Sequence, residues 1–324
     1  MKISVAIATY QGSKYLREQL DSIAQQTVLP DEVIIYDDAS SDDTANEAEL
    51  YSQTSPFLIN VFRQAKNVGF RENFDSALCA CCGDLVFLCD QDDVWLPNKI
   101  ESVLNVFQTH TSAVLVIHDL EFCDEQLRPI GQTKIKRMAS GHNIYRDYVV
   151  GMATAIRGDF LRLCLPVPDV PGLAHDRWLH DCALAIKGKV VIEEPLALYR
   201  RHGANATADT VVNSALINNN WAYFSARFNE PSLLKKTPCP SYSPLISWLS
   251  KNRETLLAQE YIDEIALQNI ITRENRKMDV IKARSQLLQR PRLLRITGIA
   301  KLFLSGGYSD FFTRKSAIKD LLRP

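Results

Sequence analysis

The sequence predicts a doubly wound α/β domain, its mainly parallel sheet covered by helices on both faces, with a mainly helical extension at the C-terminus. Two observations carry this. Short apolar runs alternate with segments of helical period through the N-terminal part of the chain, and polar or acidic residues end one apolar run after another. Beyond about residue 211 the pattern becomes helical and basic, broken by Pro231, Pro238, Pro240 and Pro244.

In chain order, residues 3 to 9 read as a strand, and 14 to 24 as a helix with Leu16, Leu20 and Ile23 on one face. Residues 33 to 36 are a second strand, and the acidic cluster after it opens a helix. A third strand at 58 to 62 precedes the helical face of Phe70, Phe74, Ala77 and Leu78. The fourth strand is 85 to 89. Pro97 suits the first turn of a helix striped by Ile100, Val103, Leu104 and Phe107, which a strand at 114 to 117 follows. Residues 121 to 146 are polar and irregular. Then come 160 to 165, a proline-punctuated loop from 166 to 171, a helical segment from about Asp176 to Ile186, and a strand at 189 to 192 leading into LALYRRHGANAT. A boundary near Asp209 divides a domain at 1–209 from a helical, basic region at 210–324. No internal repeat or low-complexity tract is evident.

The chain has 324 residues, 46% hydrophobic and 23% charged, which is globular composition. Its net charge of −1 hides an asymmetry: residues 273 to 324 carry thirteen Lys or Arg against four Asp or Glu, a local balance of +9. The opening MKISVAIATY reads as neither a signal peptide nor a spanning helix, and no later run reaches about 18 apolar residues. Most of the eight cysteines lie in apolar stretches, the pattern of small core residues in a reducing cytoplasm. Cys79, Cys81 and Cys82 lack a second Cys or His pair at finger spacing, which argues against structural zinc.

Sheets of this kind bind ligands beyond the carboxyl ends of their strands. Thr9 and Tyr10 end the first predicted strand, Asp37 and Asp38 the second; Asn67 follows the third, and Asp90, Asp92 and Asp93 follow the fourth. Carboxylates packed as in DQDD repel unless a cation or solvent offsets them. Mg²⁺ or Mn²⁺ binds through one or two carboxylates plus substrate phosphates, so a nucleotide diphosphate is a natural ligand here. Asp42 and Asp43 suit a helix N-terminus. Asp37 and Asp38 precede that turn, where a carboxylate can accept the imide N–H of a uracil or thymine ring.

The ordered set ISVAIATYQG, VIIYDDASSDDT, NVGF with its following Asn73, FLCDQDDVWLPNKI, HDRWL and LALYRRHGANAT, covering roughly residues 2 to 207, resembles the family 2 glycosyltransferases, inverting enzymes of the GT-A fold. The resemblance implies that Ala8, Thr9 and Tyr10 line the nucleotide, that Asp38 contacts its base, and that Asn67 and Gly69 shape the same pocket. It implies Asp92 as the metal-binding carboxylate, Asp90 near the donor, His202 completing the metal or diphosphate shell, and Asp176 as catalytic base. His118, Asp119, Trp95 and Trp178 lie near these motifs but have spacings typical of core residues. The family more often has Gly at Ala39 and Pro at Ala8, departures that bear on turn geometry rather than chemistry. The implied partners are a nucleotide diphosphate sugar and a glycan or lipid-linked acceptor, with no nucleic acid. DQDDVW, HDRWL and LYRRHGANAT look most like the bacterial branch building O-antigen and capsule chains, often rhamnosyltransferases using dTDP-rhamnose, with UDP-hexoses the alternative.

Other functions compete. A sugar-nucleotide pyrophosphorylase needs a glycine-rich basic loop, where this chain offers Gly12, Lys14 and Arg17. A dinucleotide-dependent oxidoreductase needs a G-x-G-x-x-G that follows no strand here. A catalytically inactive nucleotide-sugar-binding protein would not need both Asp92 and Asp176. The basic, apolar segment 271 to 304 suits either a membrane surface or a helical subdomain packed on the sheet or on a second subunit.

Overall fold

The computed structural model describes residues 1–138, 143–203, 243–311 and 314–322. The chain divides into two compact units, Met1–Asn205 and Ala206–Pro324. The boundary expected near Asp209 lies outside the described residues.

The first unit is built on an eight-stranded sheet: β1 (Ile3–Thr9), β2 (Glu32–Asp37), β3 (Leu58–Arg63), β4 (Leu85–Cys89), β5 (Val94–Trp95), β6 (Leu115–Cys123), β7 (Thr154–Arg157) and β8 (Lys189–Arg200). Their spatial order is β3-β2-β1-β4-β7-β6-β8-β5. Only β7 and β5 run against the other six, so the sheet is mainly parallel, as expected. Every residue of β4 and all but Ala8 of β1 are buried, as in strands covered on both faces. Helix Phe70–Ala80 packs on β1 and β2, while helices Ser13–Ala24 and Thr44–Ser52 pack on each other.

The chain runs outward from β1 to β3, then returns to β4 on the other side of β1. The loops after β1 and β4 therefore leave from a topological switch point, where open α/β sheets bind ligands. Three details differ from the sequence-based expectation. β7 is inserted antiparallel between β4 and β6; β8 continues through Arg200, carrying YRRHG to the edge of the site; and the helix beyond Pro97 starts at Lys99.

The second unit is helical where described: Pro244–Lys251, Arg253–Ala258, Glu264–Leu288, Arg292–Leu304, Gly307–Phe311 and Arg314–Leu322. Leu287, Ile299, Tyr308 and Ala317 form its core, with Leu302 packed against them. Within it Asp320 is 1% exposed and accepts from Arg284 Nη2 at 2.9 Å and from the Tyr308 hydroxyl at 2.8 Å. Among the described residues no helix is long and apolar enough to cross a membrane.

Candidate active site

One side of the candidate site is assembled by the ends of β1 and β2. Thr9 pairs in register with Asp37, and its hydroxyl donates to Asp37 Oδ1 at 2.9 Å. Asp37 also accepts the Ser40 hydroxyl at 2.6 Å and the Ser40 N–H at 2.9 Å, so it braces the turn. Asp38 is 2% exposed and accepts the N–H of Val68 at 2.6 Å and of Gly69 at 2.9 Å, one on each oxygen. Asn67 Nδ2 lies 3.4 Å from the Asp38 carbonyl oxygen. Thr9, Asp38, Asn67 and Gly69 thus lie together, with Asp38 pinning the loop that caps helix Phe70–Ala80. Each of its oxygens accepts one N–H and has a second lone pair. Ala8 is partly buried in β1, and Tyr10 is 47% exposed.

Gln91, the uncharged member of DQDD, links β1 to the acidic loop. Its Oε1 accepts the Tyr10 N–H at 2.9 Å, and its Nε2 donates to the Tyr10 carbonyl at 3.0 Å. A Cβ on Gly12 would come within 2.1 Å of Gln91 Oε1, so only glycine admits this bracket.

The acidic loop is held from β8. Arg200 N–H donates to Asp93 Oδ1 at 2.9 Å, and its guanidinium to the carbonyls of Asp92 at 2.8 Å and Glu125 at 2.6 Å and to the Glu18 carboxylate at 2.5 Å. His202 Nε2 lies 2.8 Å from Asp92 Oδ2, and the imidazole lies against Tyr15 with centroids 4.6 Å apart. Burial, then repulsion from Asp92 and Asp176, raises the Asp90 pKa to about 7. Burial also drives Asp93 well above the carboxylate range, with Asp92 and Asp90 adding to it. Lys99 is the buried cation facing them; burial lowers its pKa to about 7 against their attraction. Its Nζ donates to Met152 O at 2.8 Å and sits 3.6 Å from the Trp95 ring centroid.

Asp176 opens helix His175–Ala185. The preceding loop is tied to helix Phe70–Ala80: Arg71 donates to Pro168 O at 3.0 Å and to Asp169 at 2.8 Å, and Asp75 accepts the Val167 N–H at 2.9 Å. His175 stacks on Phe74 with centroids 4.1 Å apart. Gly151 lies against this pair, since a Cβ there would be 3.4 Å from His175 Nε2 and 3.7 Å from Asp176 Cβ. With Met152 held by Lys99, the backbone at 151–152 joins helix His175–Ala185 to the acidic loop. Asp90 lies within electrostatic reach of Asp92 and of Asp176.

These donors fit a hard divalent ion. Asp92 and His202 present an oxygen and a nitrogen side by side, Asp93 Oδ2 is buried without a hydrogen-bond partner among the described residues, and the carboxylates outnumber Lys99. No group of three or more His, Cys, Asp or Glu side chains converges as a ready cage among the described residues. For an ion held at Asp92 and His202, diphosphate oxygens and water would have to complete the shell.

His118, Asp119, Trp95 and Trp178 are all buried. His118 Nδ1 lies 2.6 Å from Asp119 O, Asp119 accepts the Ile135 N–H at 2.9 Å, and Trp178 Nε1 donates to Cys164 O at 2.7 Å. Gln91, Lys99 and Arg200 are site residues that sequence reasoning missed. Each lay inside a quoted motif, but its role depends on a partner far along the chain.

Residues 4–161 match the family model described as Glycosyl transferase family 2. The chain is 31% identical over 225 residues to an uncharacterized glycosyltransferase of Nostoc sp., covering 63% of this chain and 66% of that relative, just under two thirds of its length. It is 25% identical over 248 residues to dTDP-rhamnosyl transferase RfbG of Shigella flexneri, covering 66% of this chain and 80% of RfbG. Among solved structures it resembles S. aureus TarS in complex with UDP, with a TM-score of 0.54 at 16% identity over 99% of this chain and 89% of that one. It also resembles the mannosyltransferase PcManGT of Pyrobaculum calidifontis in complex with GDP-Man and Mn²⁺, with a TM-score of 0.50 at 16% identity over 84% of this chain and 85% of that one. Sheet order and ordered motifs agree with these likenesses: residues 4–161 form a glycosyl transferase family 2 domain, and the chain has a GT-A-like fold.

Proposed function

We propose that this chain transfers a sugar from a nucleotide diphosphate donor to a hydroxyl of a glycan or lipid-linked acceptor, with inversion, in surface polysaccharide synthesis. The observation that carries the reading is that Asp90, beyond the switch point of the sheet, lies within electrostatic reach of both Asp92 and Asp176. Thr9, Tyr10, Asn67 and Gly69 line the nucleotide, and the remaining lone pairs of Asp38 take a base N–H. Asp92 and His202 would hold Mg²⁺ or Mn²⁺, which would supply positive charge beside the departing diphosphate. Asp176 takes the proton of the acceptor hydroxyl as its oxygen attacks the anomeric carbon from the face opposite the leaving group. One displacement inverts the centre, and no covalent enzyme intermediate is needed.

The RfbG likeness supports a dTDP-rhamnose donor; UDP-hexoses are the alternative, and TarS is a neighbour with UDP bound. The PcManGT complex supports Mn²⁺ as an acceptable ion. The pyrophosphorylase alternative is weakened by Lys14, which pairs with Glu125. Residues 1–209 carry the chemistry in this reading, in the cytoplasm, with the C-terminal region free to contact the inner face of the cell membrane or a second subunit.

The test is a donor screen on purified protein that follows nucleotide diphosphate release with Mg²⁺ or Mn²⁺ and again in excess EDTA. One donor class turned over with metal and silent in EDTA is the expected result. Full turnover in EDTA removes the metal role, and release of inorganic pyrophosphate from a nucleoside triphosphate and a sugar phosphate selects the pyrophosphorylase.

A further inference from the structure

Helix Arg292–Leu304 has two apolar faces, and only one is covered. Arg295, at 4% exposure, Ile299, at 8%, and the half-buried Leu302 point inward. Arg295 is held there by bonds to the carbonyls of Arg290 at 2.6 Å and Leu288 at 3.1 Å. On the other side Leu293 is 82% exposed, Leu294 62%, Ile296 49%, Phe303 44% and Leu304 86%. At 100° per residue, Leu293, Ile296, Phe303 and Leu304 fall in one stripe, and the helix is about 20 Å long. Single exposed apolar residues are ordinary on soluble proteins, but a stripe of large ones along one helix marks an interaction surface.

Charge selects the partner. The stripe is flanked by exposed Arg290 and Lys301, inside a segment with thirteen basic against four acidic residues. Three of those acids are paired locally, Glu274 with Lys277, Asp310 with Arg276 and Asp320 with Arg284, so the excess is positive. A second copy of this chain would bring two like-charged rims together, whereas anionic lipid attracts the rim and takes up the stripe. We propose that the helix Arg292–Leu304 lies in the interfacial plane of an anionic bilayer, with Leu293, Ile296, Phe303 and Leu304 inserted among the acyl chains and Arg290 and Lys301 at the headgroups. It binds as a surface helix and does not span. Delivery of the active site to a lipid-linked acceptor rests on the transferase reading; lipid binding itself does not.

The experiment is co-sedimentation of the full chain with vesicles of phosphatidylglycerol and phosphatidylethanolamine, and with phosphatidylcholine alone, at low and high salt. Wild type should sediment with the anionic vesicles and release as salt rises. Leu293→Ser with Leu304→Ser, both outside the local core, should lower partitioning roughly tenfold or more, with unchanged circular dichroism and unchanged release of nucleotide diphosphate from the donor during transfer to a soluble acceptor. No sedimentation of wild type, or equal sedimentation of both proteins, overturns the proposal. So does a dimer in analytical ultracentrifugation that the double variant abolishes, which would give the stripe to a second copy. Vesicle binding without sugar transfer would retain the surface while refuting the transferase reading, and transfer without vesicle binding would do the reverse.

Discussion

At the scale of single residues, the proposed chemistry rests on a carboxylate beside an acidic loop. Asp176→Asn keeps the shape and removes the base, so it should bind donor normally while losing transfer by roughly 10²-fold or more, the usual contribution of a positioned base. Calorimetric donor titration beside single-turnover kinetics checks this; unchanged turnover would reassign the base. The residues that the proposal sets against ligand are the ones the sequence singles out, because Thr9, Asp38, Asp92, Asp176 and His202 each sit in a short motif with its own spacing. The residues that hold them are not. Gln91 reads as filler between aspartates until Tyr10, some eighty positions earlier in the chain, is seen to use both ends of its amide. Gly12→Ala tests that bracket. The added carbon would displace the flexible end of Gln91, leaving the fold intact but Tyr10 unheld. Neutral hydrogen bonds are worth about 0.5–1.5 kcal/mol each, so the donor KM should rise roughly 3- to 10-fold. Adding Gln91→Ala should then cost little more, a non-additivity read from a double-mutant cycle.

Among the elements, β1 to β4 and their helices were legible because each pairs an apolar run with a helical stripe of ordinary length. β7 was not: Thr154–Arg157 is four residues long, enters from a one-turn 3₁₀ helix at Gly151–Ala153, and shows no alternation to read. The length of β8 was hidden too, since Glu193, Glu194 and Pro195 interrupt its apolar pattern and its register against β6 shifts where they fall. The turn after β2 carries a departure that was visible in the sequence. Ala39, where the family more often has glycine, adopts φ 57°, the left-handed region. That conformation costs a residue with a Cβ about 1–2 kcal/mol. Glycine's greater freedom in the unfolded chain offsets about 0.4–1 kcal/mol. Ala39→Gly should therefore stabilise by about 0.5 kcal/mol, seen as a higher urea midpoint at an unchanged slope, with donor binding preserved. A lower midpoint would mean that the Ala39 methyl group makes packing contacts worth more than the strain.

For the molecule as a whole, acid sensitivity should trace to the end of the sheet opposite the site. Glu32 begins β2, where its carboxylate accepts the Ser4 hydroxyl at 2.5 Å, the Cys82 N–H at 2.8 Å and the Lys2 ammonium at 2.9 Å. Through Ser4, which in turn accepts the Gly83 N–H at 2.8 Å, it joins β1, β2 and the turn that enters β4. Burial by itself would raise its pKa. The Ser4 hydroxyl, the Cys82 N–H and the Lys2 charge outweigh that, and the net shift is downward. A folded pKa below the unfolded one means that the unfolded chain binds the proton more readily. The stabilisation is thus fully present above the unfolded value of about 4.3 and is lost as pH falls through the lower folded value. Glu32→Gln removes the titration and weakens the bonds. Calorimetric melting of both proteins between pH 6 and pH 3 should show wild type melting higher at pH 6, with the gap narrowing as the solution is acidified below pH 5. A gap that stays constant with pH would mean that Glu32 holds the strands by shape and neutral hydrogen bonding rather than by its charge.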